Sequence, residues 1–89
     1  MKTETRIHVR PSPVAFLSGG FRETYRAWSA DVARCYPMAI QDETPDGTRI
    51  VRIVHDGRTI DADRIAAFEF AASALNFETL SASRVLSMR

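Results

Sequence analysis

Cysteine, lysine and net charge are all scarce in this chain of 89 residues. Cys35 is the single cysteine, so no internal disulfide can form, no thiolate metal cluster can be built, and a reducing, cytoplasmic setting is the expectation. Lys2 is the single lysine, and eleven of the twelve basic residues are arginine. Arginine favours planar, bidentate contacts to carboxylates or phosphates over a loosely solvated ammonium surface. Twelve basic against eleven acidic residues leave a net charge of +1, which excludes the global basic field of a dedicated nucleic-acid binder. A long hydrophobic run is also missing. The stretch Ile65 to Leu75 is interrupted by Glu69 and Ser73 and is too short to cross a bilayer. No basic segment followed by an apolar one opens the chain, so neither membrane nor secretory targeting is expected. Without repeats, linkers or low-complexity segments, residues 1–89 read as one domain.

What is present is ordinary for a folded domain: 45% hydrophobic and 26% charged residues, far from the composition of disordered chains. Arg6-Ile7-His8-Val9-Arg10 alternates polar and apolar, as a half-buried strand does. Pro11-Ser12-Pro13 ends that ladder, and Ser12 with Pro13 predicts a short helical turn through Leu17, stopped by Gly19 and Gly20. From Phe21 to Tyr36 the residues Phe21, Tyr25, Trp28, Val32 and Cys35 recur at spacings of four, three, four and three, one continuous helical stripe. Met38 to Asp42 and Thr48 to His55 predict two strands joined at Thr44-Pro45-Asp46-Gly47, in a register that sets Glu43 opposite Arg49. Asp56-Gly57 predicts a second hairpin, returning through Arg58, Thr59 and Ile60 to make a three-stranded meander. Asp61 or Asp63 is positioned to cap a helix from about Ala62 to Asn76. The tail, Ser83 to Arg89, is compatible with a final strand beside Ile7, and Phe77, Leu80 and Val85 also allow broken helix. The expected fold is α+β, a small antiparallel sheet of three to four strands with two helices packed on it.

Three groups of residues are candidates for function. His55 lies near Arg49, Arg52 and Arg58, a combination able to place a base beside a bound phosphate. His8 and His55 have no third partner at metal-ligand spacing, so neither a metal nor another cofactor is expected. Arg22, Arg26 and Arg34 form a ridge on the first helix that suits phosphates or an acidic protein surface, and Ser18-Gly19-Gly20 ahead of it offers backbone amides to an anion. The second helix carries a stripe of Ile65, Phe68, Ala72 and Leu75 beside another of Ala66, Phe70, Ala74 and Phe77. Packing on a sheet needs only one of them, so Phe68, Phe70 or both are expected at a subunit or partner contact.

The segment Thr44 to Leu80, where a Pro45-Asp46-Gly47 turn leads to a strand ending at His55-Asp56-Gly57 and then to a helix, resembles HicA-type toxins, small ribonucleases with a double-stranded-RNA-binding-like fold. The catalytic Gly-Ser-His strand of that family has no counterpart, since Met38-Ala39-Ile40-Gln41-Asp42 stands in its place. Ile50 to Arg58 is also similar to the last strand of RelE-like toxins, although here the chain continues to Arg89. These likenesses imply, as an alternative, a metal-independent ribonuclease using His55 with Arg52 or Arg58. A small nucleic-acid-binding domain is a further alternative. The main expectation is a non-enzymatic protein-binding module, such as a phage or mobile-element inhibitor of the anti-CRISPR kind. Arg22, Arg26, Arg34, Arg49, Arg52, Arg58, Phe68 and Phe70 would bind a larger protein or protein–nucleic acid complex, with a homodimer among the expected assemblies.

Overall fold

The structure is a computed structural model that describes residues 2–13 and 20–86. The helical turn expected through Leu17, the Ser18-Gly19 pair and the last residues of the tail lie outside that range. Along the described chain run β1 (Thr3–Pro11), α1 (Phe21–Cys35), β2 (Ile40–Glu43), β3 (Arg49–His55), α2 (Thr59–Ala74) and β4 (Phe77–Val85). The strands form one antiparallel sheet in the order β2-β3-β1-β4, so the α+β domain has the connectivity of a split βαβ motif.

Alternation along the strands decides which face is covered. Thr5, Ile7 and Val9 of β1 and Val51, Ile53 and His55 of β3 are buried, and they form the sheet's half of the core. Tyr25, Trp28 and Val32 of α1 and Ile65 and Ala72 of α2 supply the other half, with Phe77 from the start of β4. The α1 stripe thus packs as its spacing predicts, except at its end, where Cys35 is exposed. Glu43 does pair with Arg49, their side chains 3.3 Å apart. Gly47 closes the turn before β3 with φ +88°, a conformation that favours glycine. No described helix is long and apolar enough to cross a membrane.

Several expectations are corrected. Asp56-Gly57 is not a hairpin turn: the chain leaves β3 there and enters α2 directly at Thr59. The strand expected at Arg58 to Ile60 is absent because β1, paired with β3 from Thr3↔His55 to Val9↔Arg49, already occupies that edge. A three-residue strand cannot match the hydrogen bonds of so long a ladder. The capping residue of α2 is Arg58 rather than Asp61 or Asp63, and Asp61, three residues on, accepts the Arg58 backbone N–H at 3.3 Å, the reciprocal half of a capping box. The helix ends at Ala74 because Asn76 takes φ +61°, and Phe77, Leu80 and Val85 all lie in β4. β1 extends beyond Arg6–Arg10 at both ends, and the final strand begins at Phe77 instead of Ser83. With no meander, the double-stranded-RNA-binding-like arrangement implied by the HicA-type resemblance is not formed.

Candidate functional site

Arg22 and Arg26 are one helical turn apart on α1, so their side chains leave the same flank of the helix. Between them Tyr25 turns into the core, 6% exposed. Across from that flank lies the β2 edge of the sheet, where Gln41 and Glu43 of β2 and Arg49 of β3 share the helix-facing side. The result is an open cleft of about 540 Å³ lined by Arg22, Arg26 and Arg49, together with Ser29 and Ala33 of the helix. Arg49 sits 5.5 Å above the Tyr25 ring, a cation–π contact, and reaches Glu43 at 3.3 Å. Its Nε is buried with no hydrogen-bond partner, so the guanidinium is only partly satisfied inside the protein. Tyr25 donates to Gln41 Oε1 at 3.5 Å, and burial pushes its phenol above the ordinary range.

The remaining arginines show what sets this cleft apart. Arg6, Arg52 and Arg84 surround Glu4 on the opposite face of the sheet at 2.6, 3.3 and 3.8 Å, and the Arg6 hydrogen bond holds Glu4 below the usual carboxylate range. Arg52 also approaches Asp42 at 3.6 Å. Arg10 pairs with Glu78, Arg34 with Asp31 and Arg58 with Asp61, while Arg64 lies over the Tyr36 ring. Among the described residues only Arg22 and Arg26 have neither an ion pair nor a ring partner. Of the sequence candidates, then, Arg22, Arg26 and Arg49 come together, whereas Arg34, Arg52 and Arg58 do not. Tyr25 and Gln41 belong to the cleft and were hidden from the sequence, Tyr25 by its place in the core stripe and Gln41 by lying on a different element.

Phe68 and Phe70 separate as well. Phe68 is half-buried against Tyr36, ring centroids 6.3 Å apart, and its carbonyl accepts the Trp28 indole N–H at 2.9 Å. Phe70 stands 78% exposed.

His55 occupies a closed polar cluster beneath the start of α2. Its Nδ1 accepts the Gly57 backbone N–H at 3.0 Å and is therefore unprotonated, which leaves Nε2 to donate to Thr5 Oγ1 at 2.8 Å. Thr5 Oγ1 and Ser83 Oγ share a further hydrogen bond at 2.7 Å. In this tautomer the imidazole is a donor toward the threonine hydroxyl and takes no proton from it. Arg52 projects from the other sheet face, and Arg58 is engaged with Asp61. Asp61, 1% exposed, lies 3.8 Å from His55 Nδ1 and accepts the Tyr36 hydroxyl at 2.6 Å. That hydrogen bond, working against burial, holds Asp61 below the ordinary carboxylate range. No three described His, Cys, Asp or Glu side chains converge as a metal ion would require.

The Asp61 cluster predicts a pH dependence. A carboxylate whose folded pKa lies below its unfolded value contributes stability that is present above the unfolded value, about 3.9, and lost as pH falls through the folded one. Asp61→Asn is therefore expected to flatten the loss of urea midpoint below roughly pH 4, followed by circular dichroism. An unchanged acid limb would assign the effect to other carboxylates, such as Asp46, held at about 2 chiefly by the Thr44 hydroxyl.

No protein-family model matches the chain, and neither does any curated protein or solved structure.

Proposed function

We propose that this protein is a non-enzymatic binding module whose α1–β2 cleft takes an acidic segment of a larger protein, or of a protein–nucleic acid complex. It acts as an inhibitor by occupying that segment, in the manner of phage or mobile-element proteins such as anti-CRISPRs. The observation that carries this reading is the pair of unpartnered arginines, Arg22 and Arg26, facing Arg49 across an open cleft. Side chains one turn apart leave the helix with Cβ atoms about 6 Å from each other, so two guanidinium forks on one flank can engage neighbouring carboxylates. Among the other described arginines each is ion-paired or, for Arg64, stacked on the Tyr36 ring, so the cleft is a short contact for anions and not a track for successive phosphates, which needs a row of cations.

The reading is tested by titrating labelled oligoglutamate and a single-stranded RNA of equal charge. The peptide is expected to bind, and Arg22→Glu with Arg26→Glu to raise its Kd tenfold or more, in the range of about 1 to 3 kcal/mol for charge-assisted contacts. Tighter binding of the RNA, lost in the same double variant, would replace this reading with the nucleic-acid-binding one.

A further inference from the structure

The free edge of β4 lies on the far side of the sheet from the cleft, and it is not defended as edges usually are. Exposed edges are commonly kept apart by shortness, lysine, proline or bulges. β2, the other edge, is four residues long and carries Asp42 and Glu43, whereas β4 runs nine residues, Phe-Glu-Thr-Leu-Ser-Ala-Ser-Arg-Val, with no lysine, proline or glycine. Among the described residues no strand lies beyond it. We infer that β4 pairs antiparallel with β4 of a second copy about a two-fold axis at Ser81, making a homodimer with one continuous eight-stranded sheet.

Backbone parity and charge select this register. Ser12 N–H donates to Asn76 O and Leu86 N–H to Lys2 O, so even-numbered residues along β4 direct their backbone groups toward β1. Strand alternation then turns the N–H and C=O of Phe77, Thr79, Ser81, Ser83 and Val85 out of the open edge. A symmetric partner must meet these odd residues with its own. With the axis at Ser81, the midpoint of the strand, overlap is complete and Glu78 falls opposite Arg84 of the second copy, twice over. Every other register that opposes odd to odd separates those charges. Both positions are in non-hydrogen-bonded pairs, where side chains are closest, and both side chains retain exposure, 46% for Glu78 and 65% for Arg84. An interface in which one strand supplies both charges is self-complementary, as a two-fold axis requires.

The helix above the edge agrees. Glu69 accepts the Ser81 hydroxyl at 3.0 Å, which identifies the flank of α2 turned toward β4. Helical periodicity places Ala62, Ala66 and Ser73 on that flank with Phe70 beside them, all exposed. Small side chains permit the α2 helices of the two copies to approach, and Phe70 gains cover. The dimer would hold its two arginine clefts at opposite ends, their β2 strands roughly 34 Å apart at seven strand spacings, and so take two acidic segments at once.

Sedimentation equilibrium of the full chain is expected to show a dimer in the tens of micromolar. Glu78→Arg and Arg84→Glu should each raise the dimer dissociation constant roughly 30-fold, by converting two attractive cross-strand pairs to repulsive ones, and the combined E78R/R84E variant should restore it. Phe70→Ser should weaken the dimer without changing the circular dichroism of the monomer, since the ring touches little of its own chain. A wild type that stays monomeric throughout overturns the inference. So does a dimer whose dissociation constant is the same in F70S and in either folded charge variant.

Discussion

Trp28→Ala is expected to lower the free energy of unfolding by about 3 to 5 kcal/mol, the range for emptying a large aromatic site in a core. Trp28 is 2% exposed at the centre of α1. Its ring meets the edge of Phe77 with centroids 6.4 Å apart and Tyr25 at 5.9 Å, while its indole N–H reaches the Phe68 carbonyl. One side chain therefore joins α1 to α2 and to the first residue of β4. Against a total of roughly 5 to 15 kcal/mol for a domain, much of the margin is lost. Urea denaturation followed by far-ultraviolet circular dichroism measures the change, and Trp28→Phe should recover part of it by restoring the ring contacts. A midpoint that barely moves would mean that Trp28 lies outside the core.

His55→Ala is expected to cost about 2 to 4 kcal/mol, because it removes buried volume and strips Gly57 N–H and Thr5 Oγ1 of a partner. The loss falls on folding and leaves the cleft untouched. His55→Asn separates the two hydrogen bonds. An asparagine carbonyl can accept the N–H two residues on, as in an Asx-turn, yet is too short to reach Thr5, so this variant should regain about 1 kcal/mol. Oligoglutamate binding by the folded His55→Ala protein is expected to match the wild type. If the wild type cleaves RNA and the folded variant does not, the ribonuclease alternative takes the place of the binding module.

The α1 helix and the β2–β3 hairpin were legible in the sequence because their information is local. The Phe21, Tyr25, Trp28, Val32 spacing needs only the 3.6-residue period, and Pro45-Asp46-Gly47 needs only turn chemistry, which together also set the Glu43–Arg49 register. A single core, an α+β composition and a surplus apolar face on α2 followed from the same patterns. The sequence could not say which edge of β3 was already taken. Asp56-Gly57 satisfies a hairpin as well as a strand-to-helix link, and only the long-range pairing of β1 with β3 decides between them. Tertiary structure likewise sorted the arginines: eleven similar side chains became seven described ion pairers, one stacked on Tyr36 and two left open at a cleft, with Arg89 outside the described range. It also divided Phe68, turned toward α1, from Phe70, left in solvent. Electrostatic pairing and burial depend on which distant segments become neighbours, and no local period in the chain encodes that.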